Sequence, residues 1–132
     1  MKIQKHPDKE KARSIIRASE EEIKFTLSIT PTNQSASTII RNLYESFRML
    51  GEAILIKEGI STVDHREQIQ PLLNLNIQTE RPLQLIDQLR KSRHSINYYG
   101  YRPSKTDAED AIDFTKKCFH KIFLEVNRII EQ

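Results

Sequence analysis

From Ala36 to Ile54 the apolar residues step by 4, 3, 4, 3 and 4 positions, through Ala36, Ile40, Leu43, Phe47, Leu50 and Ile54. A helix turning about 100° per residue gathers all six on one side, whereas a strand scatters them over both faces. The spacing predicts a long helix with one buried seam, and other helices must cover that seam. Gly51 lies on the same side, where it allows a close helix approach, and Gly59 is placed to cap the C-terminus. Arg41, Glu45, Arg48 and Glu52 form a charged side stripe, expected to be a solvated face with mutual ion pairs.

The flanking segments have the same character. Pro7 and Asp8 mark the start of a first helix carrying Ala12, Ile15, Ile16, Ser19 and Ile23, which ends before Pro31. Asp64 with Glu67 fits a capping box for a short helix that Pro71 kinks or ends early. A fourth helix is expected from about Glu80 to Tyr98, with Pro82 in its first turn and Gly100 and Pro103 closing it. A fifth starts at Ser104 or Thr106, and Thr106 with Glu109 fits another capping box. Its seam is Ala111, Thr115, Cys118, Ile122, Val126 and Ile129. Strand-like alternation is absent. The expected fold is all-α, an antiparallel up-and-down bundle of four long helices plus one short helix, in a single domain over residues 1–132.

A chain of 132 residues buries roughly two thirds of its unfolded surface, so neither metal nor disulfide is needed. Cys118, the one cysteine, sits in an apolar seam and reads as core. No apolar run approaches the ~18 residues of a membrane span, and Met1 to Glu10 lacks a signal-peptide core. A cytoplasmic protein without membrane association is expected. His6, His65, His94 and His120 are isolated, without metal-ligand spacing, and no phosphate-binding loop or dinucleotide fingerprint occurs. No metal or cofactor is expected.

The net charge is +3, but Arg90, Lys91, Arg93, Arg102 and Lys105 lie in one acid-free stretch. That stretch contributes +5 and the rest of the chain −2. Three of the four tyrosines, Tyr98, Tyr99 and Tyr101, fall in it too. Arginine with aromatic rings suits phosphate gripping and base stacking. On a helical wheel with Leu89 at zero, Leu85, Ile86 and Ile96 define the apolar face, and Arg93 falls at about 40°, inside it. Asn97 and Arg90 sit on its edge, at about 80° and 100°. An inward arginine either pairs with an acid such as Glu45, Glu52 or Asp87, or waits in a cleft for an anion.

Two stretches carry a family resemblance: Tyr44-Glu45-Ser46-Phe47-Arg48-Met49-Leu50-Gly51-Glu52-Ala53, with the Gly59-Ile60 turn before Asp64-His65, and Leu89-Arg90-Lys91-Ser92-Arg93-His94-Ser95-Ile96-Asn97-Tyr98-Tyr99-Gly100. Over roughly residues 8 to 130 the chain resembles a HEPN domain, a small helical-bundle family of higher eukaryotes and prokaryotes that handles nucleotides and RNA. The family's signature is an arginine, a polar residue, and a histidine a few positions on. In its ribonuclease members this pair cleaves RNA without metal, in a groove between two subunits. By this resemblance Arg93 is the arginine and His94 the polar residue, while Tyr98 stands where the histidine is expected. Tyrosine, with a reference pKa near 10, is a poor base at neutral pH. His94 projects about 100° away from Arg93 on the wheel.

The resemblance therefore implies a homodimeric nucleotide- or RNA-binding module with weakened or absent cleavage. Arg90, Arg93, Asn97, Tyr98, Tyr101 and Arg102 are its candidate binding residues. It also implies partnership with a small nucleotidyltransferase, often in toxin–antitoxin-like pairs. The alternatives are a metal-independent ribonuclease using Arg93 with His94 or Tyr98, and a protein-interaction subunit without nucleic-acid binding.

Overall fold

The structure, a computed structural model, describes all 132 residues. The order is β1 (Ile3–Gln4), α1 (Lys9–Leu27), α2 (Ala36–Lys57), β2 (Ile60–Ser61), α3 (His65–Leu73), α4 (Leu85–Tyr99) and α5 (Lys105–Ile130). The chain is mostly helical, with one two-stranded ladder.

The predicted seam is the spine of the fold. All six of its residues are buried, and α2 packs against α1, α3, α4 and α5. Phe47 meets Phe114 and Phe119 of α5 with ring centroids 5.4 and 5.5 Å apart. Burying a side chain of this size contributes about 1.5–3 kcal/mol. On another side of α2, Ser19 of α1 donates a buried hydrogen bond to the Ser46 carbonyl at 2.7 Å. One apolar cluster draws on all five helices, through residues such as Ala12, Ile40, Ile69, Ile86 and Phe114.

Helix ends follow local chemistry, with several departures from expectation. Asp8 caps α1 through the Lys11 amide, and Asp64 caps α3 through the amides of Arg66 and Glu67. Glu67 does not complete the expected box. Its carboxylate accepts from the Thr62 hydroxyl and the N-terminal ammonium. Helix α3 runs through Pro71 and ends two residues later, at Leu73. In a helix of nine residues the proline removes one late hydrogen bond, and the buried Ile69 and Leu72 hold the segment against the core.

Helix α4 begins at Leu85, not near Glu80. The Arg81 carbonyl is taken by the Thr79 hydroxyl at 2.6 Å and the Cys118 thiol at 3.6 Å. Pro82 to Gln84 instead form tight turns, with Leu85 N–H bonding the Pro82 carbonyl and Ile86 N–H the Leu83 carbonyl. The box opening α5 is Ser104 with Asp107, each side chain meeting the other's backbone amide, and not Thr106 with Glu109. The α5 seam is buried through Val126, after which Ile130 is fully buried and Ile129 only partly.

The ladder β1–β2 was not expected. It is antiparallel and pairs Ile3 with Ser61 and Gln4 with Ile60. Two residues per strand leave no alternation for a sequence pattern to show. Gly59, at φ 79°, turns the chain out of α2, and its carbonyl accepts from the Lys5 amide, so residues before α1 strap down across the turn. No helix is long and apolar enough to cross a membrane.

Candidate anion-binding groove

Helix α3 leans on both α2 and α4. Between the start of α3 and the outer part of α4 lies a groove of about 310 Å³. Asp64, His65 and Arg66 form one wall and Arg90, Arg93, His94 and Tyr98 the other. Three guanidiniums face one carboxylate there, and that carboxylate already accepts the two backbone amides it caps.

Arg93 is half-buried and has no ion pair or hydrogen bond to the protein. The acids within its expected reach are engaged elsewhere. Glu45 and Glu52 both hold Arg48, and Asp87 holds Arg90 at 2.7 Å and Lys91 at 3.5 Å. Of the two sequence alternatives for Arg93, the ion pair does not form. The stripe on α2 forms the expected ion pairs, Arg48 with Glu45 and Glu52, but is solvated only in part. The Arg48 side chain is only 15% exposed and also bonds Gln68 of α3 at 3.3 Å. The Arg48 guanidinium holds the Glu45 carboxyl below its usual range. Arg66 is exposed and its guanidinium likewise has no carboxylate partner.

His65 was read from sequence as an isolated histidine with no part in the site. It is the first residue of α3. Its ring stacks on Tyr44 at 5.6 Å, and its Nδ1 lies 2.7 Å from the Tyr44 hydroxyl. Tyr44 is fully buried and its hydroxyl has no other partner, so the O–H donates to Nδ1. That bond leaves the neutral imidazole's proton on Nε2, available as a donor. Burial, then the nearby Arg93 and Arg48, lower the His65 pKa, while burial raises that of Tyr44. Only tertiary structure brings Tyr44 and His65 together, 21 positions apart in sequence.

The aromatic end of α4 is largely open. His94 packs its ring 4.7 Å from Tyr98 and 5.5 Å from Tyr99, and Tyr98 is 66% exposed. His94 borders the same groove as Arg93 despite its offset on the wheel. The other candidates lie apart. The Asn97 carbonyl oxygen accepts from Arg41 of α2 at 3.3 Å. Tyr101 donates to Asp107 at 3.0 Å and borders a separate small cavity of about 140 Å³. Arg102 is exposed beyond the end of α4. A larger cleft of about 730 Å³ lies under the N-terminal strap, where Lys5 and Lys11 are balanced by Asp8 and Glu52. Balanced charge and a lack of aromatic rings make it the poorer anion site despite its size.

Comparison with protein-family models, curated proteins and solved structures finds no match.

Proposed function

We propose that this chain is a HEPN-like module that binds nucleotide or RNA in the α3–α4 groove. The observation that carries this is Arg93, a half-buried guanidinium with no carboxylate partner, beside the equally unpartnered Arg66. A partly buried charge is costly unless an anion meets it, and the guanidinium fork matches phosphate geometry. Tyr98 offers an exposed ring on which a base stacks, at about 1–3 kcal/mol per base. Arg90, Asn97, Tyr101 and Arg102 extend the contact along α4 and past its end.

The same proposal takes the helices as an antiparallel up-and-down bundle and the working form as a homodimer. Exposed Val63, Tyr98 and Tyr99 give a second copy apolar surface to cover. A small nucleotidyltransferase, in a toxin–antitoxin-like pair, is the proposed protein partner.

The test is a titration of nucleotides and short RNA against wild type and Arg93→Ala. Loss of one charge-assisted contact is expected to weaken binding at least about tenfold. Equal affinities would sink the proposal and favour a protein-interaction subunit. A second reading, metal-independent ribonuclease using Arg93 with His94 or Tyr98, gains from His65, whose Nε2–H is a proton donor on a residue that lines the same groove. The same RNA, incubated in chelator, separates the two. Cleavage lost in both Arg93→Ala and His65→Gln would replace binding by catalysis.

A further inference from the structure

We infer that the groove is built for a phosphomonoester, the terminal dianionic phosphate of a nucleotide or RNA end, and not for an internal phosphodiester, resting on the nucleotide or RNA binding proposed above. The charge inventory points this way. Arg66 on α3 and Arg93 on α4 are both without carboxylate partners. Arg90 is already offset by Asp87, and the Asp64 carboxylate, which accepts the backbone amides of α3, sets one negative charge against Arg66 and Arg93. The groove therefore keeps a net positive charge, with an unpaired arginine on each wall. A positive groove attracts a dianion about twice as strongly as the single charge of a diester.

The donors agree with the charges. The Tyr44 hydroxyl donates to His65 Nδ1, which leaves Nε2–H as a neutral donor on a residue that lines the groove with both arginines. Arg66, Arg93 and His65 thus offer three donor groups from two helices. A terminal phosphate presents three oxygens to such a set, whereas an internal diester presents two non-bridging ones and must continue the strand on both sides. The size agrees as well. About 310 Å³ is at the lower end for small-ligand sites, with room for one phosphate and its sugar.

The experiment is calorimetric titration at pH 7.5, where a phosphomonoester with second pKa near 6 is mostly dianionic. The ligands are inorganic phosphate, adenosine, 5′-AMP, and the dinucleotide ApA with and without a 5′-phosphate. The expected result is that 5′-AMP and 5′-phosphorylated ApA bind at least about tenfold tighter than adenosine and unphosphorylated ApA, the difference of about one charge-assisted contact. Inorganic phosphate should compete with both. Binding of 5′-AMP without the phosphorylated dinucleotide would identify a free mononucleotide as the source of the phosphate. Binding of both would admit an RNA end. Arg66→Ala, at an exposed position, should weaken 5′-AMP while leaving adenosine unchanged, with circular dichroism confirming the fold. ApA binding as tightly with as without its terminal phosphate, with Arg93→Ala weakening both, would overturn this inference and leave RNA binding standing. No measurable binding of any ligand would overturn both.

Discussion

Tyr44 and His65 set both the hydrogen bonding and the charge of the groove. Around the His65 ring are Arg93 and Arg90 from α4, Tyr44, Glu45 and Arg48 from α2, and Asp64 and Arg66 beside it on α3. Burial and then the cations Arg93 and Arg48 outweigh Glu45, so the folded-state pKa lies below 6.5. The unfolded chain binds its proton near 6.5, so between the two values it holds more protons than the fold does. This contribution to stability is therefore fully present above about pH 6.5 and is lost as pH falls toward the depressed value. Protonation also removes the acceptor of the Tyr44 hydroxyl. Thermal melts from pH 7.5 to 5.5 should fall more steeply for wild type than for His65→Gln. Parallel slopes would show that His65 is not held as the neutral form.

The α2–α3 contact depends on Gly51. A Cβ placed there would lie 2.1 Å from the Gln68 carbonyl oxygen, a backbone atom that cannot swing aside. Alanine gains about 1 kcal/mol over glycine in a helix, but overpacking costs about 1–3 kcal/mol. With backbone as the obstacle the strain prevails, and Gly51→Ala should lose about 1–2 kcal/mol in chemical denaturation. A more stable variant would mean that α3 is not seated this closely on α2. The role of Gly51 was legible in sequence, as was the α2 seam, because the helical period itself puts them on one face. The start of α4 was not, since it depends on which groups reach the Arg81 carbonyl, one of them Cys118 from α5. The cap of α5 was misread because Thr106 with Glu109 fits the consensus better than Ser104 with Asp107. Arg93 was visible on the wheel as an inward cation. Its lack of a partner was not, because that depends on Arg48 drawing away Glu45 and Glu52 and on Arg90 and Lys91 holding Asp87.

Net charge is a weak guide to where an anion would bind, because five of the ten arginines are already ion-paired. Arg13 bonds Glu10 and Glu131, and holds the Glu131 carboxyl down at about 2. Arg81 bonds Asp110 and Asp113, and Arg128 bonds Glu125. The acid-free stretch is itself divided by the fold. Arg90 and Lys91 share Asp87, Arg93 enters the groove, and Arg102 and Lys105 lie beyond Gly100. A continuous basic patch and a groove with two effective cations differ in salt dependence. Each phosphate neutralised on a single strand contributes a log–log slope of about −0.7. Groove binding with Arg66 and Arg93 on one terminal phosphate predicts about −0.7 for a short 5′-phosphorylated RNA. A strand following all five cations of the stretch would give about −3.5. Affinities measured between 50 and 300 mM salt separate these values. The steep slope, unchanged by Arg66→Ala, would return the binding surface to the whole outer edge of α4.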